Sequence, residues 1–283
     1  MAGVIIALEN ESYSHCHYPS DLGNWQSTEE ALGSTEQRVQ KLKAGNFFPL
    51  LAMDHGLTYG VEQSVEPARV KSLLQIGRGQ IGGVVLTFGL AKHLALDEND
   101  VPVVLQCFGG PLESEKVQMA SIDQALRLKV TAVSLQLTLT SGRPPASALT
   151  REIGRFVASA YEHHLPVLFM VGLDDPRNLR AVANAIRISQ EMGADFIKVR
   201  AVVTAAETSE NVETLATTVK QAPPVLLAGG VVGSELMAEA DVAARRLLFR
   251  GYCIGRNIFQ ARDPLSVVSG LNRIWDTSRD TKP

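Results

Sequence analysis

Short apolar segments alternate with amphipathic segments along most of the chain, and this alternation limits the fold more than any other feature. The apolar segments are rich in β-branched residues and are short enough for single strands, and there are eight of them, the number that a closed parallel barrel requires. Nearly continuous hydrophobicity is typical of strands that are covered on both faces. The segments are Phe48–Met53, Gly83–Thr87, Val101–Gln106, Ala132–Leu137, Pro166–Val171, Phe196–Val199, Pro224–Ala228 and Leu247–Ile254.

The segments between these strands have the period of amphipathic helices. Asn178–Met192, for example, places its apolar residues three and four positions apart. A first helix is expected to begin at Ser34–Gln37, where a capping Ser or Thr precedes acidic and amide residues, and to end at Gly45. We therefore predict an α/β fold of the (β/α)8 TIM-barrel class. A doubly wound open sheet is the alternative, although no G-x-G-x-x-G turn follows the first strand.

The domain organisation follows from the same alternation. Residues 1–33 show no clear period and are interpreted as an N-terminal extension. Residues 34–283 contain no linker or charge block and are expected to form one barrel domain. The extension could cover the barrel or contact a neighbouring subunit.

Composition and charge exclude several classes of function. The formal net charge of −3 and the absence of any Lys/Arg-rich segment argue against nucleic acid as a partner. No apolar segment approaches the ~20 residues of a membrane span, so no membrane association is expected. Three widely spaced cysteines suggest a reducing cytoplasm rather than a disulfide framework. His15-Cys16-His17 has no fourth ligand nearby, so neither a metal nor another cofactor is predicted.

An ionisable pair follows the first strand. In a barrel of this class the active site lies where strands end and the following loops begin. Asp54 and His55 occupy that position, followed by Gly56. A carboxylate beside an imidazole can orient it for proton transfer, so we expect the pair to act in acid–base catalysis, although Asp54 could also simply stabilise the loop.

A lysine interrupts the sixth apolar segment. Lys198 lies between Ile197 and Val199, and lysine is almost never fully buried without a reason. Burial favours the neutral amine, which can attack a carbonyl carbon to form an imine. The alternatives are a lysine paired with a buried carboxylate, or one whose ammonium reaches the rim of the barrel.

Glycine-rich turns follow the seventh and eighth strands. Bare backbone N–H groups in such turns can approach phosphate oxygens, and this is the usual phosphate site of barrels. We expect Gly229, Gly230 and Gly255 to bind a substrate phosphate, with Arg256 adding a positive charge. Tight turns use glycine for positive φ as well, so the glycines have a structural alternative.

Together these segments resemble the archaeal-type class I aldolases of the DhnA/DeoC-FbaB superfamily. The resemblance rests on Leu51-Ala-Met-Asp-His-Gly56, Gly193-Ala-Asp-Phe-Ile-Lys198, Leu227-Ala-Gly-Gly230 and Ile254-Gly-Arg-Asn-Ile-Phe-Gln260, and covers about residues 34–270. It implies that Lys198 forms an imine with a small phosphorylated ketose or related keto compound, and that carbon–carbon bonds form or break next to the carbonyl. It also implies a homo-oligomer, by analogy a ring of five or ten subunits.

One position departs from the aldolase pattern. Aldolases of this family usually have a catalytic tyrosine at the end of the fifth strand, where this chain has Val171 or Gly172. Together with Asp123–Leu128, Pro166–Leu168 and Glu191–Ala194, this departure makes the chain most similar to the thiolase branch that processes autoinducer-2 phosphate and transfers an acyl group. In that branch the histidine at the position of His55 is thought to move protons. Acyl transfer on a phosphorylated diketone and non-catalytic binding of a sugar phosphate therefore remain alternatives. The arginine after the sixth strand, Arg200, could bind a second anion or lie outside the barrel.

Overall fold

The structure is a computed structural model that describes residues 33–60, 65–96, 101–110, 116–204, 207–230, 233 and 235–280. Its main feature is a sheet of parallel strands joined by helices. The strands are β1 (Phe48–Ala52), β2 (Gly83–Thr87), β3 (Val103–Gly109), β4 (Val117–Gln118), β5 (Ala132–Leu139), β6 (Val167–Leu173), β7 (Phe196–Val199), β8 (Val225–Ala228) and β9 (Gly251–Ile254).

Eight of these strands form a closed parallel barrel. Each pairs with the next along the chain, except that β3 pairs with β5, and β9 returns to pair with β1. The ninth strand, β4, is a two-residue segment that pairs antiparallel with the end of β3. The predicted TIM barrel is therefore confirmed, whereas β4 was not predicted because two residues carry no readable period.

The helices lie between the strands, as the alternation predicts. Within the described ranges they are α1 (Thr35–Lys41), α2 (His55–Tyr59), α3 (Pro67–Ile76), α4 (Phe88–Leu94), α5 (Ile122–Arg127), α6 (Ser147–Glu162), α7 (Leu179–Glu191), α8 (Ser209–Gln221), α9 (Leu236–Arg245), α10 (Arg256–Phe259) and α11 (Pro264–Asp280). None of them is long and apolar enough to cross a bilayer.

Two boundaries differ from the prediction by four residues, which is more than any other strand boundary does. Helix α1 begins with a capping box between Ser34 and Gln37, as expected, but it ends at Lys41 and not at Gly45. The eighth barrel strand begins at Gly251 and not at Leu247, because Leu248 has a φ of 62° that no strand continues through. Apolar composition alone did not distinguish this turn from the strand that follows it.

The buried apolar residues form two separate clusters. One lies inside the barrel and includes Phe48, Leu168, Met170 and Phe196. The other lies between the barrel and the helices, and includes alternate residues of the same strands, such as Ile197. Neighbouring residues of a strand point to opposite faces, so residues an even number of positions apart share a face. This alternation, which we call parity, decides whether a residue faces the barrel interior or the helices.

The predicted N-terminal extension, residues 1–33, lies outside the described residues except for Gly33. The division of the chain at residue 33 therefore stays a prediction. The same holds for the His15-Cys16-His17 triplet, which falls within this segment.

We expect the seam between β1 and β9 to depend on Gly251. Its φ is 153°, and a Cβ there would lie 2.3 Å from the carbonyl oxygen of Phe48, its partner across the seam. Gly251→Ala should lower the free energy of unfolding by about 2 kcal/mol or more, as measured by urea denaturation. Gly154→Ala is the control, because a Cβ at this exposed position of α6 meets no atom within 4 Å. It should raise the free energy of unfolding by about 0.5–1 kcal/mol. A similar rise in the free energy of unfolding, or no change, in Gly251→Ala would contradict the prediction.

Candidate active site

A cavity of about 140 Å³ opens at the carboxyl ends of the barrel strands. It brings together residues that are far apart in sequence. Its lining consists of Asp54, His55, Thr58, Tyr59, Gln136, Met170, Val171, Gly172, Lys198, Ala228, Gly229 and Arg256. Two larger cavities, of about 210 and 470 Å³, share Ala95 and Val101 beside the amino end of β3. Active sites of this fold lie at the carboxyl ends of the strands, so the smaller cavity is the candidate.

Lys198 reaches this cavity from inside the barrel. It lies on β7 two residues after Phe196, which belongs to the interior cluster, so both side chains share the inner face. Its Nζ lies 3.8 Å from the Sδ of Met170 on the neighbouring strand β6. Within the part of the chain that the structure describes, Lys198 forms no ion pair with a carboxylate. The alternative of a lysine neutralised by a buried acid therefore finds no support there.

His55 and Asp54 lie where the first strand ends. His55 is the first residue of the short helix α2, and its Nδ1 is 3.7 Å from Oδ1 of Asp54. Burial, which is the largest cause, and the positive charges of Lys198 and Arg256 together lower the pKa of His55 to about 4, although the carboxylate of Asp54 opposes the shift. His55 is therefore a neutral imidazole at neutral pH, which can accept a proton.

Aromatic side chains hold His55 in place. The ring of Tyr59, one helical turn later on α2, stacks on the imidazole with centroids 6.1 Å apart, and Phe259 of α10 meets it edge-on at 5.4 Å. The guanidinium of Arg256 lies over the ring of Tyr59, 4.8 Å from its centroid. Our sequence analysis missed Tyr59, although its spacing of four residues from His55 is the signal that places both on one helical face.

The three glycines of the predicted phosphate site have different surroundings. Gly229 lines the cavity, as does Arg256. Gly255 instead packs against His55, since a Cβ at this position would lie 2.3 Å from the Cε1 of the imidazole. Gly230 is covered by Arg200, whose Cζ would lie 2.3 Å from such a Cβ. Gly229 and Arg256 are therefore the members of the set that face the candidate site.

Arg200 is bound within the protein. Its Nη2 donates to Oε1 of Glu239 on α9 at 2.8 Å, and its guanidinium lies on the backbone of Gly230. Of the two interpretations left open by the sequence, this position beside the turn after β8 fits a residue at the rim better than one on the outer face of the barrel. Its charge is partly balanced by Glu239, so a second anion would have to compete with this carboxylate.

Val171 and Gly172 lie at the place on β6 where the resemblance implies a tyrosine, and Gly172, two residues after Met170 of the interior cluster, is the one on the inner face. It lines the cavity, and a Cβ there would meet only Leu137 O at 3.6 Å and Thr138 Oγ1 at 3.8 Å. A Cβ would therefore fit at this position without a clash. The strand leaves this side of the cavity open.

Of the two cysteines that the structure describes, Cys253 is the one that interacts with Lys198. It lies inside the barrel on β9, and burial raises its pKa to about 11, with Lys198 opposing the shift. A thiol of that pKa is almost entirely protonated at neutral pH and is a poor nucleophile. Among the described residues, no cluster of three His, Cys, Asp or Glu side chains could hold a metal ion.

Bacterial proteins resemble this chain over most of its length. A 2-amino-4,5-dihydroxy-6-oxo-7-(phosphonooxy)heptanoate synthase from Streptomyces griseus is 25% identical over 243 residues, which are 81% of this chain and 85% of that protein. A 3-hydroxy-5-phosphonooxypentane-2,4-dione thiolase from Klebsiella pneumoniae is 28% identical over 263 residues, or 87% of this chain and 84% of the relative.

Solved structures share the fold. An archaeal fructose-1,6-bisphosphate aldolase, whose catalytic lysine is covalently bound to a carbinolamine intermediate, superposes with a TM-score of 0.70 at 24% identity. The match covers 85% of this chain and 98% of that one. A fructose-bisphosphate aldolase from Slackia heliotrinireducens gives a TM-score of 0.69 at 19% identity, over 94% of this chain and 95% of the other. At these identities the likeness establishes the barrel fold.

The family is established by a match along the sequence itself. The family model described as DeoC/LacD family aldolase matches residues 48–261. The match begins with the first strand of the barrel and ends just after α10, and so includes His55, Lys198 and Arg256. This chain belongs to the DeoC/LacD family of aldolases.

Proposed function

We propose that this protein is a class I aldolase in which Lys198 forms an imine with a small phosphorylated keto compound. The observation that carries the proposal is the position of Lys198, an amine at the carboxyl end of the barrel, inside the cavity and without a carboxylate partner among the described residues. An amine there can attack a carbonyl carbon that enters the cavity. Family membership supports the same chemistry.

The substrate is proposed to dock through its phosphate. Gly229 and Arg256 line the cavity near Lys198, and the guanidinium of Arg256 can pair with phosphate oxygens. The names of the Streptomyces and Klebsiella relatives both contain a phosphonooxy group and a ketone or oxo group, which fits such a substrate. We retain Gly230 and Gly255 as predicted phosphate contacts, although each is also needed for packing.

The proposed reaction starts with attack of Nζ of Lys198 on the ketone carbon. The resulting carbinolamine loses water to give an iminium. The iminium accepts the electron pair of the bond between its α and β carbons, and as this bond breaks the β-hydroxyl loses its proton, so that an aldehyde leaves and an enamine remains. His55 takes and returns the protons, and Asp54, with its carboxylate 3.7 Å away, stabilises the protonated imidazole. In the reverse direction the enamine attacks an aldehyde and forms the bond.

Acyl transfer is the second candidate, and Gly172 is the observation that favours it. The aldolases that the sequence resembles usually have a tyrosine at this place, and Gly172 leaves the cavity without that phenol. The Klebsiella relative is a thiolase by name. Imine formation at Lys198 is common to both candidates, whereas a non-catalytic sugar-phosphate-binding barrel would form no imine.

A homo-oligomer of five or ten subunits and a cytoplasmic location are also proposed. Both are carried by the family resemblance and by the sparse cysteines of the sequence. Neither enters the chemistry above, which uses side chains of one subunit.

The first prediction concerns the nucleophile. Lys198→Arg should abolish turnover and borohydride-trapped mass, because a guanidinium keeps the charge but cannot lose its proton to attack a carbonyl. Intact mass spectrometry after borohydride reduction with phosphorylated ketones measures the adduct. Lys220→Arg, on the exposed end of α8, is the control and should trap normally. An adduct that maps to another lysine would refute the proposal.

The second prediction concerns the protonation of His55. In a pH titration followed by NMR, the signal of the His55 imidazole is identified by its absence from the spectrum of His55→Gln. This imidazole should remain neutral at pH 6 and titrate near pH 4, since burial disfavours its charged form. The pKa in the folded protein lies below the ordinary 6.5, so the unfolded chain gains this proton first as the pH falls. The wild-type protein should therefore lose about 2 kcal/mol more stability than His55→Gln between pH 7 and pH 5. Parallel losses in the two proteins would contradict this assignment.

The third prediction concerns the phosphate. Arg256→Ala should raise KM for a phosphorylated ketone about 10- to 100-fold and change kcat less, because it removes a charge-assisted contact made before the chemical step. Steady-state kinetics with the phosphorylated ketone and its unphosphorylated counterpart give the comparison, and the latter should be nearly unaffected. Arg187→Ala, which removes an exposed ion pair with Glu191, serves as the control. Equal losses on both ketones would argue against a phosphate contact.

A further inference from the structure

Gln136 is a polar residue of the barrel interior to which the proposed reaction assigns no role. It lies on β5, four residues after Ala132 of the interior cluster, and therefore on the same inner face. It pairs in register with Met170 of β6, and Met170 pairs in register with Lys198 of β7. The three side chains thus form one row across three strands and all line the cavity.

The spacing of this row fits a short carbon chain. Neighbouring strands are ~4.8 Å apart, so the backbones of Gln136 and Lys198 are roughly 10 Å apart with one strand between them. Both side chains extend into the cavity from opposite ends of the row. An amide can therefore reach the carbon next to the one that Lys198 attacks.

The amide of Gln136 forms no hydrogen bond with the residues that the structure describes. Its Oε1 is buried and has no hydrogen-bond partner among the described residues. Burying a carbonyl oxygen without a donor is unfavourable, so such a group is expected to find a partner in the cavity it faces. A half turn of the terminal amide exchanges its oxygen and its N–H, and a hydroxyl can pair with either of them.

A second buried glutamine, Gln106, also lacks hydrogen-bond partners among the described residues but does not line the cavity. Gln106 on β3 is fully buried and both of its amide atoms lack a partner in the described part of the chain, yet it is not among the residues that line the cavity. Access to Gln136, in contrast, is open on the side of Gly172, which contributes no side chain. Of these two amides, Gln136 is the one that a substrate can touch.

We propose that Gln136 selects ketones that carry a hydroxyl on the carbon next to the carbonyl. This inference rests on the imine chemistry proposed for Lys198. A hydroxyl in this position pairs with the amide when the ketone carbon is at Nζ of Lys198, whereas a methyl group leaves the amide unpaired. Sites built to bind a hydroxyl discriminate strongly against analogues that lack it, for this reason.

The test compares two ketones that differ in this hydroxyl alone. Dihydroxyacetone phosphate has it, whereas acetol phosphate has a hydrogen in its place, so that the carbon next to the carbonyl is a methyl group. The rate of borohydride-trapped adduct formation at Lys198 should be about 10-fold or more higher for the first in the wild-type enzyme. In Gln136→Met, which keeps the length of the side chain but has no amide, the preference should fall to within about 2-fold, with acetol phosphate trapped as fast as before. Comparing the ratio of the two rates between enzymes cancels the intrinsic reactivity of each ketone.

The controls distinguish hydroxyl selection by Gln136 from imine formation at Lys198. Gln106→Met should keep the wild-type preference. If Gln136→Met fails to fold, Gln136→Asn retracts the amide by one methylene and should also lower the preference. An undiminished preference in the folded Gln136 variants, or no preference in the wild type, would overturn the role of Gln136 while leaving the imine intact. Absence of an adduct at Lys198 with either ketone in the wild-type enzyme would instead overturn the proposed function, and this inference with it.

Discussion

Closure of the sheet, with β9 returning to pair with β1, is the constraint on which the rest of the molecule depends. In a closed parallel sheet every strand has one face toward a shared interior and one toward the helices, and all strands end at the same rim. Lys198 faces inward because it shares the parity of Phe196, while Ile197 faces the helices. The same closure places the ends of β1, β7 and β9 close enough for His55, Lys198 and Arg256 to line one cavity.

The electrostatics of this cavity follow from the ionisable side chains that line it. Lys198 and Arg256 both disfavour a positive charge on His55, and burial does so more strongly, so the pKa of the imidazole falls to about 4 despite the carboxylate of Asp54. The cavity thus combines the guanidinium of Arg256, which suits an anionic substrate, with a neutral base at His55. This division of roles suits imine chemistry, in which an amine attacks and a separate group moves protons.

The relatives and the cavity suggest how one scaffold carries several reactions. A synthase, a thiolase and aldolases share this fold or sequence pattern. Within the cavity, the lysine end is defined by Lys198 and Met170, whereas the β5–β6 side differs from the aldolase pattern by the absence of a side chain at Gly172. Variation on that side can change which group meets the imine without changing how the imine forms.

The sequence by itself determined the fold class and the residues with chemical potential, since strand and helix periods are local properties and a lysine in an apolar strand stands out without any structure. It located Asp54, His55 and Lys198 at strand ends, and the structure places all three in one cavity. It did not identify Tyr59 or Gln136, because their roles depend on contacts with residues distant in the chain: Arg256 lies over the ring of Tyr59, and two strand registers place Gln136 in the row of Lys198. It also could not separate the glycines that face the cavity from Gly255, which packs against an imidazole 200 residues earlier. Such distinctions belong to the tertiary structure, because barrel closure and strand register, and not local sequence, decide which side chains meet.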